Sequence, residues 1–185
     1  METSEQNTLL SGLRSSLRPA ALGLVLATLT ILYGQLMGIV FGLNEDLIKG
    51  QLEASAAPVR ESVYKSDEAA IKAVQEKSWK YMQRSHLHAG GMGTTAFALI
   101  VLVCLLGLPG RVSGAISLAL GAGGLGYSVF WMWAGFLAPG LGSTGAAKES
   151  LRWLAMPSSG AFVLGTVAVL VMLVLAMLQS RPRNG

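Results

Sequence analysis

The side chains best suited to chemistry crowd into one stretch, Met82-Gln83-Arg84-Ser85-His86-Leu87-His88-Ala89-Gly90-Gly91-Met92-Gly93, which holds both histidines of the chain, two of its eight methionines and an arginine. Imidazole nitrogen ligates haem iron or copper, and thioether sulfur suits Cu(I) or haem. On a helix, His86 and His88 stand two residues apart and point to nearly opposite sides, so both grip one ion only if the helix unwinds at Gly90-Gly91. Met82 with His86, and His88 with Met92, are i,i+4 pairs, each able to offer two ligands of a copper site from one helix face. A haem held between histidines of two helices needs a histidine elsewhere, and the sequence has none. That excludes a self-sufficient cytochrome b561-like bundle. Three readings stay open: interfacial histidines hydrogen-bonded to their surroundings, one histidine on a haem, copper or quinone shared with a partner, and a small copper site drawn from Met82, His86, His88 and Met92.

The elements that must position this stretch follow from composition. The chain has 185 residues, 52% hydrophobic and 13% charged, where a soluble domain carries roughly 25% charged residues. Mean hydropathy is +0.53. The apolar residues fall into four blocks, about 20–43, 89–108, 112–137 and 160–178, none with an Asp, Glu, Lys or Arg inside. Each is close to the ~20 residues that cross a hydrocarbon core. The expectation is an all-α polytopic membrane protein forming one domain over residues 1–185. The first block exceeds the ~7–15 apolar residues of a cleavable signal, so it is expected to stay as a helix. Cys104 is the sole cysteine, which leaves no CxxC motif and no intrachain disulfide. The net charge of +4 comes from basic residues scattered around the apolar blocks. They fit membrane orientation rather than a phosphate-binding stripe, so nucleic acid is not an expected partner. No ionisable residue sits within a span to carry a coupled proton or cation, and no Ser-His-Asp, HExxH or P-loop pattern offers soluble-type catalysis.

Residues 44–85 and 140–159 connect the spans on one side, and Pro109-Gly110-Arg111 lies with both termini on the other. In the long connection Ser66 reads as an N-cap followed by Asp67 and Glu68, which suit the positive end of a helix. Ile71, Val74, Trp79 and Met82 then recur at near-helical spacing, so the second helix is expected to start about twenty residues outside the bilayer. A shorter helix over 45–56, stopping before Pro58, completes an extramembrane hairpin. Thr144 is expected to cap an interfacial helix over about 145–155. Trp79, Trp131, Trp133 and Trp153 all fall at this same face, as a headgroup belt or an aromatic wall around a ligand.

Gly34, Gly38 and Gly42 make a double GxxxG on the first span, and Gly90, Gly93, Gly121 and Gly124 add small positions on the second and third. Lipid gives helices little hydrophobic reason to associate, so such residues mark close packing, inside the bundle or against other subunits. The run Arg84-x-His86-x-His88-x-x-Gly91-x-Gly93 resembles a helix opening in haem–copper oxidase core subunits and short four-helix relatives. The resemblance implies His86 or His88 as a haem ligand. The oxidase pattern needs further histidines on other helices, which this sequence lacks, so any haem would be shared with a partner. The chain as a whole resembles small bacterial inner-membrane proteins.

The expected function is a non-catalytic accessory or structural subunit of a larger inner-membrane complex, respiratory or electron-transferring, that docks other membrane subunits and a periplasmic partner. The alternatives are a haem- or copper-binding redox protein using His86 and His88, and a self-associating membrane protein without a redox role. Arg14 and Arg18 precede the first span while Glu45 and Asp46 follow it, so both termini are expected in the cytoplasm. Accordingly a Ser4→Cys variant should resist an impermeant thiol reagent added to intact cells; labelling from outside would reverse the orientation.

Overall fold

A computed structural model describes residues 2–179. Arg181 and Arg183, basic residues that also flank the fourth span, lie outside them. The chain folds into α1 (Glu2–Ala56), a 3-10 turn at Ala57–Val59, α2 (Glu68–Leu105), α3 (Gly110–Gly140), α4 (Thr144–Ser150) and α5 (Arg152–Gln179). Four of these helices are long and apolar enough to cross a membrane. The protein is all-α, a membrane helix bundle.

The apolar stretch of α1 ends where its helix breaks. Asn44 is extended (φ −158°, ψ 74°), and its side-chain oxygen accepts from Leu47 N at 3.2 Å. Asn44 thus caps a second helical segment, which runs to Ala56. The chain reverses through Lys65 and Ser66, both in the left-handed region (φ 54° and 60°). This moves the cap of α2 one residue beyond the expected Ser66: Asp67 is the N-cap, its carboxylate accepting from Ala69 N and Ala70 N at 2.9 and 3.1 Å. The same one-residue correction applies to α4, capped by Ser143 rather than Thr144. The interfacial helix expected over 145–155 is in fact split, because the helix breaks at Leu151 and Arg152 already opens α5. The second span ends at Leu105, short of the expected 108, since Gly107 takes a positive φ of 62° and Pro109 caps α3.

α3 is the central element. α1 runs parallel to it and α2 antiparallel, while α5 packs on α3, touches α2 slightly and does not pack on α1. Ala20, Ala27, Ile100, Val103, Leu120 and Val169 fill the core toward the terminal side. Tyr81, Phe130, Ala134, Ala138, Ala147 and Leu151 fill it toward the hairpin. Ser85 lies beside Ser128 and Met82 beside Gly135, so residues 128–135 of α3 run alongside residues 78–85 of α2. The apolar end of the third block is therefore covered by protein: Phe130, Ala134, Gly135 and Ala138 are all buried. Above it, Tyr64 donates its hydroxyl to Pro139 O at 2.7 Å and fastens the hairpin loop to the end of α3. Burial pushes the Tyr64 phenol above its ordinary value, which keeps it neutral and able to donate.

The helices approach to backbone contact at glycines. A Cβ on Gly121 would lie 2.5 Å from Gly23 O, and one on Gly23 would run into the Ser117 carbonyl. A Cβ on Gly123 would lie 2.7 Å from Phe162 N and Ser158 O, and one on Gly93 would lie 3.0 Å from Ile31 N. A Cβ would lie 3.0 Å from Gly90 N if added at Gly34, 2.9 Å from the His86 ring at Gly38, and 3.5 and 3.6 Å from Phe162 and Met92 at Gly124. All these neighbours belong to this chain. Around Gly42 and Gly90 the space that a Cβ would occupy is open.

This contrast gives substitutions of opposite sign. Gly121→Ala must push two backbones apart, and should lower stability by about 1–3 kcal/mol. Gly42→Ala meets nothing and gains helix propensity, so it should raise stability by about 0.5–1 kcal/mol. Unfolding by SDS titration in mixed micelles measures both.

Candidate functional site

The histidine segment is helical throughout, inside α2, and its successive side chains turn toward α1 and α3. Ser85 is fully buried and joins the helices: its hydroxyl donates to Ser128 O at 2.7 Å, while the Tyr33 hydroxyl stands 2.6 Å from it and donates in return. Met37 Sδ lies 3.5 Å away on the same side. One hydroxyl thus ties α1, α2 and α3 together where few other polar groups are available.

His86 turns toward α1. Its Nδ1 lies 2.8 Å from Gly34 O. A carbonyl only accepts, so Nδ1 carries the proton and, in the neutral ring, Nε2 keeps its lone pair. The ring rests over Gly38, with Phe41 edge-on at 5.8 Å. Phe41 in turn meets Trp79 at 4.9 Å, and Lys49 sits 5.5 Å above the Trp79 ring. Gly38 gives this imidazole its room.

His88 turns toward α3. It stacks on Trp131 (6.0 Å between centroids, 21° between planes) and meets Tyr127 at 5.1 Å. One turn earlier, the Arg84 guanidinium lies over the same Trp131 at 5.0 Å and over Tyr81 at 5.6 Å. Arg84 is exposed, and no carboxylate pairs with it among the described residues. Trp131 Nε1 is buried and finds no hydrogen-bond partner among the described residues.

The methionines take separate places. Met82 is fully buried, its thioether against Gly135 of α3. Met92 packs by Gly124, across from Phe162 of α5. His86 and His88 therefore belong to different interfaces, and among the described residues no three His, Cys, Asp or Glu side chains come close enough to share a metal ion. His88 and Met92 remain on the α3 side of α2. A cofactor at His86 would use Nε2, with its other ligands supplied from outside the chain.

The tryptophans also divide. Trp133 and Trp153 are 43% and 62% exposed and meet edge to face at 6.2 Å, as headgroup-level residues do. Trp131 faces the bundle and Trp79 fills the seam of α1 and α2. The sequence reading missed Ser85 as the joint of three helices and Tyr127 as part of the aromatic cluster. Tyr33 and Tyr127, rare polar groups within apolar blocks, were the available signal.

Compared with family models, curated proteins and solved structures, the chain gives no match.

The Ser85 joint can be measured directly. Ser85→Ala leaves the Tyr33 hydroxyl and the Ser128 carbonyl without their partner and should cost about 1 kcal/mol. Tyr33→Phe should cost a similar amount, and the double variant should lose less than the sum because the two share one bond. The same SDS titration reads all three.

Proposed function

We propose that the chain is a non-catalytic accessory subunit of a larger bacterial inner-membrane complex, with both termini in the cytoplasm and the α1–α2 hairpin presented to a periplasmic partner. The observation that carries this reading is a furrow along that hairpin. Beyond Asn44 a groove runs along the two helices, with adjoining clefts of about 440 and 330 Å³ that share Glu53, Lys72 and Gln75. Leu52, Ala56 and Ile71 give the furrow an apolar floor, with charges of both signs along its rims. An apolar floor between charged rims suits an extended or helical segment of another protein. The furrow stands on a firm support, since the Ala56, Tyr64 and Ile71 cluster closes the hairpin and the Tyr64 hydroxyl ties it to Pro139 O at the end of α3. Below it, α1 and α5 show long exposed apolar faces, from Leu22 to Leu47 and from Val163 to Leu178, suited to lipid or to neighbouring subunits.

A second reading, redox or metal binding with a partner, draws support from one feature. His86 donates Nδ1–H to a backbone carbonyl, the arrangement that orients a ligating imidazole and leaves Nε2 for the metal.

One experiment addresses both: native mass spectrometry of the tagged protein, extracted in mild detergent from its own host. The proposed function predicts a mass that includes other subunits, lost in Lys72→Glu while helicity by circular dichroism is kept. Added haem or copper mass that disappears in His86→Ala would establish the second reading. A bare monomer or homo-oligomer would overturn the accessory role in favour of self-association.

A further inference from the structure

The Arg84 cluster takes no part in the furrow, and its surroundings point to a ligand of a different kind. Arg84, His88 and Met92 follow one another at i,i+4 along a single face of α2. That face borders the seam between α2 and α5, two helices that barely touch. Gly124 floors the seam, where a Cβ would lie 3.5 Å from Phe162 on one side and 3.6 Å from Met92 on the other. Met92, Phe162 and His88 are half-buried and Arg84 is exposed. The seam is thus apolar inside and cationic at its mouth.

The charge there is unbalanced. α2 holds no Asp or Glu after Glu76, while Lys77, Lys80 and Arg84 follow it. At the start of α5, Arg152 pairs with Glu149 at 3.3 Å, whereas among the described residues Arg84 has no carboxylate partner. Its guanidinium carbon stands 5.0 Å from the Trp131 ring centre and 5.6 Å from that of Tyr81, and the exposed side chain keeps N–H donors for a ligand outside. The buried Trp131 Nε1 is one more donor in the same cluster with no acceptor among the described residues. Exposed tryptophans such as the Trp133–Trp153 pair mark the headgroup level, and Arg84 lies over Trp131, two residues from Trp133.

We propose that this seam binds one anionic phospholipid from the leaflet on the hairpin side, its phosphate on Arg84 beside His88 and an acyl chain between Met92 and Phe162. A ligand here must carry negative charge at the interface and hydrocarbon directly beneath it. A basic pocket between membrane helices recognises that combination.

The test is native mass spectrometry of delipidated protein offered phosphatidylglycerol or phosphatidylcholine at equal concentration. Wild type should retain one phosphatidylglycerol and hold it about tenfold more tightly than phosphatidylcholine, the gain expected of charge-assisted hydrogen bonds. Arg84→Gln should lose that preference. Arg84→Lys, which keeps the charge, should keep it in part, and Arg152→Gln should keep it in full. Should Arg84→Gln fail to fold, Met92→Trp tests the seam instead, by filling the acyl path and displacing the lipid with the cation intact. Equal retention of the two lipids by wild type would overturn the proposal. So would an unchanged preference in Arg84→Gln, or displacement of the lipid by inorganic phosphate alone.

Discussion

Everything in this structure depends on how closely α3 lets other backbones approach it. In water, apolar side chains would drive the helices together; in a bilayer the lipid tails are as apolar as leucine, and close van der Waals contact must do that work. α3 meets α1 at Gly121 against Gly23 and meets α5 at Gly123 against Ser158 and Phe162, with main chain on main chain in both cases. The wide residues of α1 and α5 are left to face outward, which is why so little of either helix is buried. The bundle is consequently asymmetric: α1, α2 and α3 form a unit, and α5 stands against α3 alone.

That asymmetry decides where chemistry can sit. Because α2 is wedged between α1 and α3, its successive residues near the bilayer edge are handed to different neighbours. Ser85 goes inward to Ser128 and Tyr33, His86 to the Gly34 carbonyl, and His88 to Trp131 and Tyr127. The two histidines therefore have different environments despite their nearness in sequence.

Much of the fold was legible because it follows from local rules. Four apolar blocks without charge become four long helices, and acids after a polar cap begin a helix outside the membrane. The caps themselves moved by one residue. Both Ser66 and Asp67 can accept from a helix N-terminus, and the choice fell to Asp67 once the loop placed Ser66 at φ 60°. The same limit explains α4, where Ser143 and Thr144 are equivalent as caps in composition and differ only in backbone angle.

The sequence by itself determined the membrane class, the number of spans, the hairpin, and the opposite headings of His86 and His88, since helix periodicity and hydropathy are properties of neighbouring residues. The tertiary structure alone decided which neighbour each face meets. It placed Gly34, Gly38, Gly93, Gly121 and Gly124 against helices of this chain, turned Trp131 inward while Trp133 stayed out, and left Arg84 at the mouth of a seam. A GxxxG pattern specifies that something packs closely without specifying what. That identity is fixed by the register between helices, here by Ser85 beside Ser128 and Gly121 beside Gly23, and register is a relation between distant segments that no local pattern encodes.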